Sequence, residues 1–313
     1  MPSTEKIALV FPGQGSQQVG MGRELAETYP RAREIFDESD AILGITLSRL
    51  AWEGPEETLN DTINTQPALM VHSIASLLVL KEIRPEIRPA FVAGHSMGEL
   101  SALVAAGALD FESALRLVRL RGQVMKQAGE QSPGGMAAIL GLDIPAIEDI
   151  CERARSSGEI VQVANDNCPG QVVISGSDAA LERAIDLAKQ AGARKAVALA
   201  VSIAAHSPLM EHAQEAFSAA VEAADLRDPE VPIVGNVTAM PLDSASQVRA
   251  DLKAQLNSRV RWTESVQWMR SQGVSMFLEL GSESVLTGLL KRIDRQARGV
   301  PLGTPADFEN LSL

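Results

Sequence analysis

Aromatic residues are scarce, at 4% of 313 residues, and tyrosine occurs once. Surfaces that stack nucleic-acid bases are built from such rings, so this chain is poorly equipped for one. Excess positive charge is missing too: 28 Lys and Arg stand against 40 Asp and Glu, a formal net charge of −12 that opposes a phosphate-binding face. Nucleic acid is therefore not an expected partner. Cysteine appears only as Cys151 and Cys168, which excludes a disulfide scaffold and suits a reducing cytoplasm. Cys168, in N-D-N-C-P-G, has no adjoining basic residue to favour a thiolate and reads as a passive turn residue. No window approaches the roughly 18 uninterrupted apolar residues of a membrane span. The opening M-P-S-T-E-K-I-A-L-V-F also lacks the basic and apolar regions of a leader. No membrane association is expected. Histidine occurs four times with no pair at metal-ligand spacing, so no metal is expected either.

What is present is an ordinary globular composition, 45% hydrophobic and 22% charged, long enough for one large core with a smaller one beside it. The chain is organised around Pro89–Val104, P-A-F-V-A-G-H-S-M-G-E-L-S-A-L-V. An apolar strand leads into Gly94-His95-Ser96-Met97-Gly98, a G-x-S-x-G pattern, and a helix over Glu99–Leu109 follows. A serine on so sharp a strand-to-helix turn stands clear of the sheet edge, beside the free N–H groups of the helix's first turn. The alternative is a glycine-rich turn with an incidental serine.

Before this elbow, Lys6–Phe11 is a strand ending in the glycine loop Pro12–Gln17, which lacks the Lys-Ser/Thr of a phosphate loop. Residues 21–52 read as helical. A buried helix opens at Thr65-Gln66-Pro67-Ala68, and another runs from about Phe111 to Ala128 carrying Arg116, Arg119 and Arg121. Beyond Ser132-Pro133-Gly134-Gly135 the pattern becomes β-α-β-β-α-β. Strands fall at Met136–Leu142, Ile160–Asn165, Gln171–Ser175 and Ala196–Val201, with helices at Ile144–Arg155 and Ala179–Ala191. That order predicts a ferredoxin-like unit over 131–201 inserted in a larger α/β domain formed by 1–130 and 202–313. The larger part resumes with a helix over Leu209–Ala224 and a strand over Val231–Asn236. Helices at Ser244–Asn257 and Thr263–Ser271, a strand at Met276–Leu280 and a helix at Leu286–Ile293 precede a thin tail. Strands alternating with helices imply a mostly parallel sheet covered on both faces.

A nucleophilic serine needs a base. His72 lies in the apolar helix and reads as a core residue, and His212 lies on a solvated face. His95 adjoins the serine but points elsewhere, and is read as supporting the elbow. His206 stands in a loop after a strand, where it is either a base held over the sheet edge or an ordinary loop histidine; spacing alone does not decide.

Taken jointly, G-Q-G-S-Q at 13–17, T-Q-P-A-L at 65–69, G-H-S-M-G-E at 94–99 and R-G-Q-V-M at 121–125 resemble the malonyl-CoA:acyl-carrier-protein transacylases. N-D-N-C-P-G-Q-V-V-I-S-G at 165–176, H-S-P-L-M at 206–210 and V-L-T-G-L at 285–289 extend the match, in the family's order, over almost the whole chain. The resemblance implies an α/β-hydrolase-like large domain with the inserted ferredoxin-like one. It implies malonyl transfer from malonyl-CoA to the thiol of holo-acyl carrier protein by a ping-pong cycle, with no tightly bound cofactor. Ser96 matches the family's nucleophile and His206 its base. Gln14 and Met97 match the backbone N–H donors of its oxyanion hole. Arg121 matches the arginine that grips the malonyl carboxylate, Gln66 its orienting partner, and Gln255 the residue whose backbone carbonyl accepts the histidine's other N–H. Arg116 and Arg119 are read as solvated.

Three positions depart from the family pattern. Ser282 and Arg259 stand where proline is common, and Ala204-Ala205 precede His206 where bulk is associated with excluding branched malonyl groups. The two alanines leave methylmalonyl open as a substrate. Rival readings are a serine acyl hydrolase, a trans-acting acyltransferase serving a polyketide synthase, and a scaffold that lost activity. For carrier docking by an acidic chain, Arg194-Lys195 and Lys291-Arg292 are the candidate basic patches.

Overall fold

The alternating strands and helices resolve into two sheets in the computed structural model, which describes residues 5–156, 158–201 and 203–312. Ser202, at the expected return from the inserted unit, lies outside the described residues. The strands are β1 (Lys6–Phe11), β2 (Phe91–Gly94), β3 (Gly135–Leu140), β4 (Val161–Cys168), β5 (Gln171–Gly176), β6 (Lys195–Ala198), β7 (Ile233–Val234), β8 (Pro241–Leu242), β9 (Val274–Leu280) and β10 (Arg298–Leu302). The larger sheet has the order β10-β9-β1-β2-β7-β8 and is parallel except for β8.

Side chains alternate across β1 as the pleat requires. Leu9 and Phe11 join the apolar cluster on one face, and Ala8 and Val10 join the cluster on the other. Both faces being covered, β1 reads as a continuous apolar run. The first face is filled by the helices Thr62–Ile83 and Phe111–Gln131, and the second by Trp262–Ser271 and Val285–Ile293. Thr62–Ile83 is long and apolar enough to cross a membrane, yet 83% of its most apolar window is buried within the protein. It is the central strut of the helical layer.

The smaller sheet is antiparallel with the order β4-β5-β3-β6, and its helices are Ile144–Ala154 and Asp178–Gln190. Sequence order and strand order together are those of a ferredoxin-like unit.

Several element bounds differ from the sequence reading. Residues 21–52 fall in three helices, Arg23–Thr28, Pro30–Leu43 and Leu47–Glu53, interrupted at the extended Tyr29 and at Gly44 with φ 66°. The buried helix begins at Thr62, placing Pro67 inside it. Proline there cannot bond the Ile63 carbonyl. Arg119 Nη1 donates to that oxygen at 2.8 Å and to Asn64 Oδ1 at 2.7 Å, so Arg119 is not merely solvated. β4 runs on through Asn165–Cys168, and the hairpin turns at Pro169-Gly170; Cys168 is a buried strand residue. β6 is shorter than read, and β7 keeps only two of the six residues expected at 231–236. The tail is structured: β10 pairs parallel with β9, and the helix Pro305–Glu309 is capped by Thr304. The Gly and Pro of R-G-V-P-L disguise β10, an edge strand, where the missing N–H of proline is tolerated.

Candidate active site

At the carboxyl ends of β1 and β2 the backbone closes so tightly that two glycines are required. A Cβ on Gly94 would lie 1.9 Å from the Gly98 carbonyl carbon, and one on Gly98 would lie 2.3 Å from the Phe11 oxygen. Between them Ser96 has φ 52°, a left-handed conformation that costs a non-glycine residue energy and is kept only where its surroundings hold it. Asn236 does the holding. Its Oδ1 accepts the Ser96 N–H at 2.7 Å, and its Nδ2 donates to the Gly94 carbonyl at 2.7 Å. The helix Gly98–Ala105 starts directly beneath, so its positive end faces the hydroxyl.

His206 also has a positive φ, 58°, and is 2% exposed. Its Nε2 lies 2.8 Å from Ser96 Oγ, and its Nδ1 lies 2.9 Å from the Gln255 carbonyl and 3.1 Å from that of Ser258. Two carbonyls can only accept, so Nδ1 carries the proton and Nε2 is left as the acceptor for the serine. Burial above all, and then the Arg121 charge, push the imidazole down to about 3 and keep it neutral.

Arg121 is 1% exposed. Its Nη1 donates to Gln66 Oε1 at 2.8 Å, and its Nη2 donates to Gln255 Oε1 at 2.9 Å and Ser96 Oγ at 3.0 Å. Its Nε has no partner, and among the described residues no carboxylate pairs with it directly. Burial lowers its pKa to about 10, which still leaves the charge in place at neutral pH. A buried cation whose direct partners are neutral is costly, and a carboxylate arriving beside it recovers much of that cost.

Ser96, His206, Arg121, Gln66 and Gln255 are thus linked by direct hydrogen bonds. Gln14 and Met97 line the same cavity, of 430 Å³, and among the described residues neither backbone N–H donates to a protein acceptor. The Gln14 side chain accepts from Thr62 Oγ1 at 3.0 Å. Ala205 lines this cavity, whereas Ala204 is buried away from it.

The smaller sheet supplies a wall that sequence reasoning did not assign: Met136, Asn165, Asn167 and Val173 face the cavity. Asn167 Oδ1 lies 2.8 Å from His95 Nε2, tying β4 to the elbow, and Gln162 Nε2 donates to the His206 carbonyl at 2.9 Å. The legible signal was alternation through N-D-N, obscured by ending the strand at Asn165.

Other residues lie elsewhere. His72 is a buried core residue whose Nε2 is 2.8 Å from the Gly303 carbonyl, and His212 is exposed near Glu215. Burial raises the pKa of both thiols, that of Cys151 to about 12, which disfavours the thiolate. Arg194, Lys195 and Lys291 are exposed and outside the cavity. Arg292 clasps the β4–β5 turn through Gln171 Oε1 at 2.5 Å and the Pro169 carbonyl at 3.2 Å. Ser282 is buried, and Arg259 forms an ion pair with Glu148 of the smaller unit.

Comparison with known proteins adds to this geometry. The family described as "Acyl transferase domain" matches residues 8–304. A malonyl CoA-acyl carrier protein transacylase of Bacillus subtilis is 45% identical over 304 residues, covering 97% of this chain and 95% of that one. The crystal structure of an acyl carrier protein S-malonyltransferase from Vibrio cholerae superimposes with TM-score 0.94 at 43% identity, covering 98% and 100% of the two chains. A malonyl-transacylase solved in complex with a type II PKS acyl-carrier protein has TM-score 0.94 at 43% identity, covering 97% and 98%.

Proposed function

The chain belongs to the acyl transferase domain family, and from that premise we propose that it moves a malonyl group from malonyl-CoA to the phosphopantetheine thiol of holo-acyl carrier protein. The observation that carries the reading is the buried Arg121 guanidinium, without a carboxylate partner, within hydrogen-bond reach of Ser96 Oγ. A nucleophile beside an unpaired buried cation suits an acyl group that ends in a carboxylate.

In this reading His206 Nε2 takes the Ser96 proton as Oγ attacks the thioester carbonyl. The oxyanion falls to the N–H groups of Gln14 and Met97, each contributing about 3 kcal/mol at the transition state. The tetrahedral intermediate collapses, coenzyme A leaves with the proton from His206, and malonyl-Ser96 remains. Arg121 turns from Ser96 Oγ to the malonyl carboxylate, with Gln66 holding its other Nη. The carrier thiol then gives its proton to His206 and attacks the ester, and Ser96 is released. The Gln255 carbonyl keeps the imidazole in the required tautomer throughout. An acetyl group would leave Arg121 unpaired, a penalty of about 3 kcal/mol. Residues 131–201 serve as an inserted unit walling the cavity, and Arg194 with Lys195 at its surface offers a basic contact for the acidic carrier. The product supplies extender units for fatty-acid synthesis in the cytoplasm. The likeness to a transacylase bound to a type II PKS carrier favours polyketide supply as the second reading.

Intact mass after mixing with malonyl-CoA, then with holo-carrier protein, tests this. A malonyl adduct that forms on wild type, is absent from Ser96→Ala and moves to the carrier supports transfer. Free malonate accumulating with the carrier unmodified means a hydrolase.

A further inference from the structure

Beneath the elbow lies an acid that the steps above do not use. Glu99, the second residue of the helix Gly98–Ala105, is 0% exposed. Its Oε2 accepts from Gln255 Nε2 at 2.9 Å, from the Asn236 N–H at 3.2 Å and from Asn236 Nδ2. The carboxyl of Asp251, which is 5% exposed, is reached from the next backbone amide: the Val237 N–H donates to Asp251 Oδ2 at 3.5 Å, so the two acids meet at consecutive residues. Glu99 Oε1 and Asp251 Oδ1 are both buried without a hydrogen-bond partner. Two ionised oxygens facing each other in a dry interior repel, whereas one proton between them turns two orphaned acceptors into a hydrogen bond and leaves a single negative charge.

What hangs from this pair is the reacting site itself. Asn236 holds the strained Ser96 backbone through its Oδ1. The Gln255 amide donates to Glu99 and to the Ser96 carbonyl, at 3.2 Å, and turns its Oε1 to Arg121. A carboxylate oxygen can only accept, so Glu99 Oε2 decides which way that amide faces. Reversed, the amide would set its NH₂ against the guanidinium donors. The same residue's backbone carbonyl orients His206.

We propose that Glu99 and Asp251 share one proton and act as a positioning pair, whose fixed acceptor aligns the Asn236 and Gln255 amides and, through them, Ser96, His206 and Arg121. The assignment of what these residues then do rests on the acyl-transfer reading above. Burial foremost, and the Asp251 charge next, hold the Glu99 carboxyl well above the usual range, while burial also raises Asp251. Arg121 is the cation whose charge acts on Glu99, from the helix Phe111–Gln131 across Gln255.

The test compares Glu99→Gln, Asp251→Asn and Glu99→Ala in the full chain. In Glu99→Gln the amide oxygen replaces Oε2 and the NH₂ replaces the proton toward Asp251. Acylation kcat and KM for malonyl-CoA are expected to stay within about threefold of wild type, as they are for Asp251→Asn. Glu99→Ala frees the Gln255 amide, and malonyl-over-acetyl preference is expected to fall about tenfold or more. Isotope-labelled glutamate provides a readout that mere packing would not move. The wild-type minus Glu99→Gln infrared difference at neutral pH shows a protonated carboxyl band. Glu99→Gln as damaging as Glu99→Ala, or no such band, overturns the shared proton. If Glu99→Ala does not fold, Gln255→Leu, which keeps the backbone carbonyl, carries the same selectivity expectation. Absence of malonyl-serine in wild type would overturn the transfer reading instead, and the infrared band distinguishes the two failures.

Discussion

On the outer faces of the helices, positive charge is held in local pairs. Arg23–Glu27, Arg33–Asp37, Arg49–Glu53 and Arg116–Glu112 each sit four residues apart, at 2.9, 3.0, 2.9 and 2.8 Å, with side chains more than half exposed. At the corner beside Ser96 the arrangement is reversed. Arg121, on the same helix as Arg116, is buried among two amide oxygens and a hydroxyl. The exposed pairs are worth only about 0.3–0.5 kcal/mol each. The corner instead maintains a charge that the fold does not neutralise at close range, and strained backbone at both Ser96 and His206. Outside, charge is paired within one helix turn; inside, it is left among neutral partners.

Perturbing the two regions in turn sharpens that contrast. The largest effect is expected from Ser96→Ala, which removes the proposed nucleophile and should lower transfer about 10⁴-fold or more in steady-state assays. Arg121→Ala comes next: kcat/KM for malonyl-CoA is expected to drop about 10²-fold while that for acetyl-CoA does not drop with it. The pH profile separates the regions again. His206 is protonated, and unable to accept the serine proton, only as pH falls through its folded pKa, which is pushed down to about 3. The acid limb of kcat/KM is therefore expected well below the ordinary histidine value of about 6.5. Removing the Arg121 charge should shift that limb upward, since that charge is the second cause of the depression. Charge reversal at Arg194 and Lys195 is expected to weaken transfer to carrier protein severalfold and to leave acylation by malonyl-CoA intact. Equal loss of both half-reactions would remove that surface from the account. The smallest effect belongs to Arg116→Ala, which should change thermal stability by no more than about 0.5 kcal/mol and activity not at all.

The sequence was most legible where local chemistry and tertiary packing demand the same residue. Gly94 and Gly98 flank the serine because no Cβ fits there, and the apolar run of β1 is read directly from its burial on both faces. It was least legible where a distant side chain completes a local defect. Pro67 lies inside a helix because Arg119 reaches the carbonyl it leaves open, a bond spanning 56 positions. The strand was read as ending at Asn165, short of Asn167, because polar side chains in a strand gain their meaning only when the cavity lies opposite. β10 escaped notice since its pairing with β9 depends on backbone that Gly and Pro residues conceal. Glu99 was visible as a letter, but its burial against Asp251 depends on a helix more than 140 residues further along, Ala245–Gln255.

The most direct test of the central claim, that an unpaired buried arginine selects the acyl group, is a side-by-side acylation of wild type and Arg121→Ala by malonyl- and acetyl-CoA, read as intact mass against time. Wild type should form malonyl-serine quickly and acetyl-serine slowly, with that preference lost in Arg121→Ala. A variant that keeps the wild-type preference would contradict the account and place selection elsewhere in the cavity.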